Sequence, residues 1–72
     1  MNAIEINKLE NYLRRVFSNK DITIEARENK DDSAEVNLDG EFLGVLFKDV
    51  EDGETSYDFH MTVLEIDLDS EN

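Results

Sequence analysis

The stretch Ser33–Phe47, SAEVNLDGEFLGVLF, constrains this chain more than any other. Two short apolar runs flank Asp39-Gly40, and a two-residue type I′ turn needs positive φ at both central positions, which Asp followed by Gly tolerates. With that turn, Leu38 faces Glu41, Asn37 faces Phe42, Val36 faces Leu43 and Ala34 faces Val45. One surface of the hairpin then carries Ala34, Val36, Leu38, Leu43, Val45 and Phe47, and the other carries Glu35, Asn37, Phe42, Gly44 and Leu46. A slip of one residue would scramble that division, so turn chemistry and hydrophobic pattern predict the same hairpin.

The rest of the chain supplies what such a hairpin needs on its apolar side. Asn2-Ala-Ile-Glu5 reads as a capping box in its asparagine form. Ile6, Leu9, Leu13, Val16 and Phe17 then recur at the spacing of one helix face, with Tyr12 at its margin and Glu10 and Arg14 placed for an i,i+4 pair. Ser18-Asn19 ends the helix, with Asn19 expected in the left-handed conformation. Ile22–Arg27 alternates as a first strand, and Asn29–Asp32 reads as a polar turn into the hairpin. After Phe47, Asp49–Thr55 reads as a charged loop bending at Gly53. Tyr57, Phe59, Met61 and Val63 alternate along a long final strand, but Leu64, Ile66 and Leu68 fall on the other parity. A β-bulge at Val63-Leu64, or a strand covered on both faces there, would account for the change. The expected architecture is α+β: an N-terminal helix packed on a four-stranded antiparallel meander, one domain over residues 1–72, with 69–72 a frayed acidic tail.

Seventy-two residues allow one small core, because a chain of this size buries only about 60% of the surface its unfolded form exposes. The absence of cysteine removes disulfides and thiolate chemistry, and a single histidine removes a multi-histidine metal site within one chain. No apolar window reaches the roughly 18 residues of a membrane helix, and the N-terminus lacks the layout of a signal peptide, so a cytoplasmic location is expected. The net charge is −12, unevenly spread: residues 1–48 hold ten acids and seven bases, and residues 49–72 hold nine acids and no base. Direct nucleic-acid binding and anionic membrane surfaces both need a basic footprint, so both are disfavoured.

Several short segments are distinctive as a set: Lys8-Leu-Glu, Tyr12-Leu-Arg-Arg15, Asp32-Ser-Ala-Glu-Val36, Gly44-Val-Leu-Phe47, Glu51-Asp-Gly53, Ser56-Tyr57 and Leu64-Glu-Ile-Asp-Leu68. Together they resemble a family of short bacterial proteins known only as a domain of unknown function, over nearly the whole chain from about Leu9 to Leu68. The resemblance implies a bacterial cytoplasmic setting and brings no activity, substrate or catalytic residue. This chain departs from the pattern of the family it resembles at Ser18, often glycine there, and at His60, often glutamine.

Candidate chemistry is sparse. An EF-hand read back from Gly53 would place Asp52, Val50 and Lys48 at its fifth, third and first positions, and two of those three cannot ligate calcium. Nineteen acids make proximate carboxylate pairs inevitable, yet catalysis would need a pocket that shifts a pKa. His60 shares a strand face with Asp58 and Thr62; it reads as a partly exposed side chain, with a pH-sensitive subunit contact as the sharper possibility. Arg14 and Arg15 are either charge balance or a docking point for acids. Phe42, Gly44 and Leu46, pointing away from the helix in the register above, suggest a covered surface, and Asp49, Glu51, Asp52 and Glu54 an acidic one. No catalytic residue, metal ligand or cofactor site is expected. The leading expectation is a non-enzymatic protein-interaction module that self-associates and binds a basic partner surface. The alternatives are a nucleic-acid mimic occupying the basic site of a DNA- or RNA-binding protein, and a small enzyme or metal-binding protein.

Overall fold

A computed structural model of the chain describes residues 1–27 and 30–69. The predicted capping box is present: Glu5 N–H donates to Asn2 Oδ1 at 2.8 Å and Asn2 N–H donates to Glu5 Oε1 at 3.2 Å. It opens helix α1 (Ala3–Val16), which turns Ile6, Leu9 and Leu13 inward. The helix closes with Phe17 at the C-cap, where Ser18 N–H donates to Arg15 O at 3.2 Å and Asn19 N–H to Arg14 O at 2.9 Å. That is a Schellman closure, and its left-handed residue is Ser18 at φ 51°, one position earlier than the asparagine the sequence suggests. Asn19 instead accepts the Asp21 N–H at its side-chain oxygen, at 2.8 Å.

Four strands follow, β1 (Ile22–Arg27), β2 (Lys30–Leu38), β3 (Glu41–Glu51) and β4 (Glu54–Met61), all antiparallel and in sheet order β1-β2-β3-β4. The α-β-β-β-β meander is therefore as expected. The polar turn expected over 29–32 is not: Lys30–Asp32 already belong to β2, and position 29 lies outside the described residues. Asp39-Gly40 forms the predicted tight turn, with φ 51° and 83°. Asp52-Gly53 forms a second one, with φ 53° and 81°, so the expected loop over Asp49–Thr55 is instead paired strand on both sides of that two-residue turn.

The central hairpin departs from its expected register after two pairs. Leu38 faces Glu41 and Asn37 faces Phe42, but Val36 then faces Gly44 and Ala34 faces Leu46, leaving Leu43 as the extra residue of a bulge. Gly44 and Leu46 consequently turn toward the helix, where both are buried, and Val45 and Phe47 turn away. Leu43–Phe47 is apolar at either parity, so the alternation alone does not choose a side. What chooses is close approach: a Cβ on Gly44 would collide with the carbonyl oxygen of His60 and sit 2.9 Å from Phe59 Cε1. The glycine admits a neighbouring backbone, as its place in a strand suggests; that backbone belongs to β4 of the same chain.

The final strand is shorter than expected. β4 ends at Met61, Thr62–Leu64 leave the sheet, and a five-residue helix, α2 (Glu65–Asp69), follows with no buried residue. The parity change at Val63-Leu64 is thus neither a bulge nor a doubly covered strand, and the rest of the expected frayed tail, 70–72, lies outside the described residues. Buried apolar side chains come from one helix residue, Leu13, and from Ile22, Ile24, Ala34, Val36 and Leu46 of the sheet.

Two substitutions test these backbone assignments with opposite signs. Ser18→Gly should raise stability by about 0.5–1 kcal/mol, because relief of a left-handed non-glycine residue exceeds the added unfolded-state entropy. Gly44→Ala should lower it by about 1–3 kcal/mol, since its Cβ meets backbone rather than a movable side chain. Denaturant unfolding of both variants checks the pair, and a neutral Gly44→Ala would place the bulge elsewhere.

Candidate functional site

Two polar ties set where the helix lies on the sheet. Near its middle, Glu10 and Arg14 form the predicted i,i+4 pair at 3.1 Å. They also reach the edge strand: Ile24 N–H donates to Glu10 Oε2 at 2.9 Å, and Arg14 Nε donates to Ile22 O at 2.8 Å. Side chains of α1 therefore occupy backbone groups of β1 that an incoming strand would use, which is how sheet edges are kept from pairing. Arg14, one of the candidate docking residues, is committed within the chain. Arg15 stays exposed with its guanidinium 5.3 Å from the centre of the Tyr12 ring.

At the helix N-terminus, Glu5 Oε2 lies 2.6 Å from Lys48 Nζ of β3 and accepts the Tyr57 hydroxyl of β4 at 2.7 Å. The Lys48 contact, with help from Tyr57 and Asn2, holds the Glu5 carboxyl down to about 2. Glu5 in turn raises Lys48, and it raises Tyr57 together with partial burial. Each group moves away from neutrality, so at neutral pH the trio is a fixed ion pair with a hydrogen-bonded phenol. In the sequence Glu5 reads only as a cap, because Lys48 and Tyr57 stand 43 and 52 positions away from it and share no local pattern with it.

Between these ties the β3–β4 half of the sheet face is left open beside α1. Leu9, Tyr12, Leu13, Val16, Phe17, Leu46, Tyr57 and Phe59 line a trough of about 460 Å³. A second hollow of about 320 Å³, bounded by Leu43 and Met61, shares Phe17 and Phe59 with it. Volumes of this size are typical of binding clefts, and the lining here is nearly all apolar. Tyr12, Val16, Phe17 and Met61 on its walls are each more than half exposed.

The remaining candidates fall in two other places. Phe42 is exposed on the outer face of the sheet, as expected, but without Gly44 and Leu46, which belong to the core; the expected three-residue surface is not formed. Phe47 is outward instead, its ring edge-on to His60 at 5.0 Å, so the histidine lies on the outer face as its alternation predicts. Asp49, Glu51, Asp52 and Glu54 surround the tip of the β3–β4 hairpin, together with Thr55 and Ser56. Among the described residues no three histidine, aspartate or glutamate side chains converge to hold a metal ion, and no helix is long and apolar enough to cross a membrane.

Compared with known families, residues 5–67 match one described as a protein of unknown function, DUF3126, which covers nearly the whole chain. Comparison with curated proteins and with solved structures gave no match.

The Glu5 tie predicts a particular pH dependence. Its carboxyl titrates at about 2 when folded against an ordinary 4.5, so its stabilisation is complete above about 4.5 and disappears as pH falls toward 2. Lys48 is raised, so its share persists below its ordinary 10.5 and is lost as pH rises through its folded value. Thermal melts of the parent and Glu5→Gln should therefore differ most near neutrality, with the gap in Tm closing between pH 4.5 and 2. A gap that stays constant down to pH 2 would show that Glu5 is not held by Lys48.

Proposed function

The chain belongs to that family of unknown function, and we propose that it acts as a non-enzymatic interaction module that self-associates and offers its acidic C-terminal half to a basic surface of a partner protein. One observation carries the reading. Among the described residues, twelve large apolar side chains are exposed, against six buried apolar ones. Scattered exposed apolar groups are ordinary, but Tyr12, Val16, Phe17 and Met61 are gathered along the trough and the hollow that adjoins it, and contiguous patches mark contact surfaces.

Two further features support it. Acid–base catalysis favours groups titrating near the working pH, whereas Glu5, Lys48 and Tyr57 are displaced away from it. The nine acids and no base of residues 49–72 supply a field that would steer a basic surface toward the hairpin tip.

Sedimentation equilibrium tests the self-association. A species heavier than the 8.3 kDa chain is expected, and a single-chain mass at ~100 µM, well above ordinary homodimer dissociation constants, overturns it. The charge asymmetry is tested by thermal melts in sodium chloride. Screening shortens from roughly 10 Å at 0.1 M to about 3 Å at 1 M, which should relieve repulsion among the C-terminal acids and raise Tm. Stability that is flat or falling with salt would remove the self-repulsion on which the steering field depends.

A further inference from the structure

The C-terminal segment is the part of this fold whose pattern and conformation disagree. Leu64, Ile66 and Leu68 alternate with Glu65, Asp67 and Asp69, the period-2 signature of a half-buried strand. In the structure Leu64 precedes the short helix α2, in which Ile66 and Leu68, two positions apart, fall on different sides, and Val63, Leu64, Ile66 and Leu68 are between 56% and 71% exposed. The segment carries a strand's apolar face without a sheet to lay it on.

A matching sheet edge exists. β1 is guarded by Glu10 and Arg14, but β4 is the opposite edge, and among the described residues no strand pairs with its outer side. Tyr57, Phe59 and Met61 of β4 point into the apolar trough. Residues directly opposite in an antiparallel pair share a face of the sheet. Setting Leu64 opposite Met61, Ile66 opposite Phe59 and Leu68 opposite Tyr57 puts all three apolar side chains on the trough side. Glu65 then lies opposite His60 on the outer face and Asp67 opposite Asp58, a like-charge pair whose cost the three apolar pairs must outweigh. A shift of two residues either way keeps the faces but loses one of the three apolar pairs.

Within one chain that register leaves Thr62-Val63 as a two-residue hairpin turn. Such turns need positive φ, which is a genuine outlier for β-branched residues. Among the described residues, the tight hairpin turns are both Asp-Gly, at φ 51° and 83° and at φ 53° and 81°. Thr62-Val63 is the opposite chemistry: it resists closing back on its own β4 and favours carrying the segment away. Resting on the self-association proposed above, we infer that two copies exchange their C-terminal segments. Residues 64–68 of each add as a fifth strand to the β4 edge of the other, laying Leu64, Ile66 and Leu68 along its trough. Exchange of an identical element across a hinge that cannot close is a recognised route to a symmetric dimer.

The chain contains no cysteine, so the register can be read by disulfide trapping. His60 and Glu65 are both exposed and would face each other across the exchanged pair, at the Cα separation of about 4.5–5.5 Å that a disulfide spans. A chain carrying His60→Cys is mixed with a size-tagged chain carrying Glu65→Cys and exposed to oxidised glutathione. The expected product is the mixed disulfide dimer, well above either chain oxidised alone. A mixed product no greater than those controls overturns the exchange, as does a double variant that closes its disulfide within a monomer. Thr62→Asn with Val63→Gly, which supplies a turn that can close, should convert the dimer to a folded monomer; a persistent dimer would refute the hinge. Ile66→Asp changes a residue already exposed in the single chain, so folding should survive while the dimer weakens about 30-fold or more, as loss of an interface hot spot does. If the parent is a dimer and Ile66→Asp leaves it intact, self-association stands but uses another surface, and this inference fails alone. A monomeric parent removes both.

Discussion

One helix cannot cover four strands. Neighbouring strands lie about 4.8 Å apart, so the face of this sheet is roughly 14 Å wide between its outer strand axes and wider with their side chains. A helix with its side chains is about 10–12 Å across. Some of that face must remain open wherever α1 settles, and among the described residues there is no second long helix to lay beside it. The small buried core and the exposed apolar walls of the trough both follow from this mismatch of widths.

Where the open part falls is decided by the polar ties. Glu10 and Arg14 bind backbone groups of Ile24 and Ile22, which draws the body of α1 toward β1. Glu5 reaches across to Lys48 and Tyr57 and anchors the N-terminal turn over the far hairpin. Apolar burial is non-directional and would accept the helix almost anywhere on the face; hydrogen bonds with fixed partners would not. The helix therefore lies toward one edge, and the trough opens along β3 and β4. The Glu10 and Arg14 bonds also close the β1 edge of the sheet.

Legibility in the sequence followed the range of each interaction. The capping box, the Asp39-Gly40 turn and the Ile22–Arg27 strand depend on residues a few positions apart, and all three lie where the chain's local pattern puts them. Asp52-Gly53 is the same dipeptide as Asp39-Gly40, but charged neighbours give its flanking strands little apolar alternation, so it reads as a longer loop. The Leu43 bulge was hidden for the opposite reason, since apolar residues at both parities fit either register. Its cause is the carbonyl of His60, sixteen residues from Gly44 in sequence and adjacent in space. Glu5, Lys48 and Tyr57 left no trace in any window, because each has a satisfactory local reading of its own. The candidate surface suffered most: it rested on the far strand of the hairpin, and a single extra residue moved Gly44 and Leu46 to the other side.

The C-terminal acids sharpen the consequence of that geometry. In a strand the alternation of Leu64, Ile66 and Leu68 with Glu65 and Asp67 separates apolar from charged residues onto two faces; in a helix it mixes them. Mixed, the segment has neither a face to bury nor a reason to fold, since a helix of five residues lies far below the length at which isolated helices persist. Separated, it matches a trough that has apolar walls and a β4 edge that no strand covers among the described residues. An open face that one helix cannot cover and a segment whose apolar side chains stay exposed on its own chain are complementary shortfalls of one sequence. A second copy of that sequence is the simplest body that carries the complement of both.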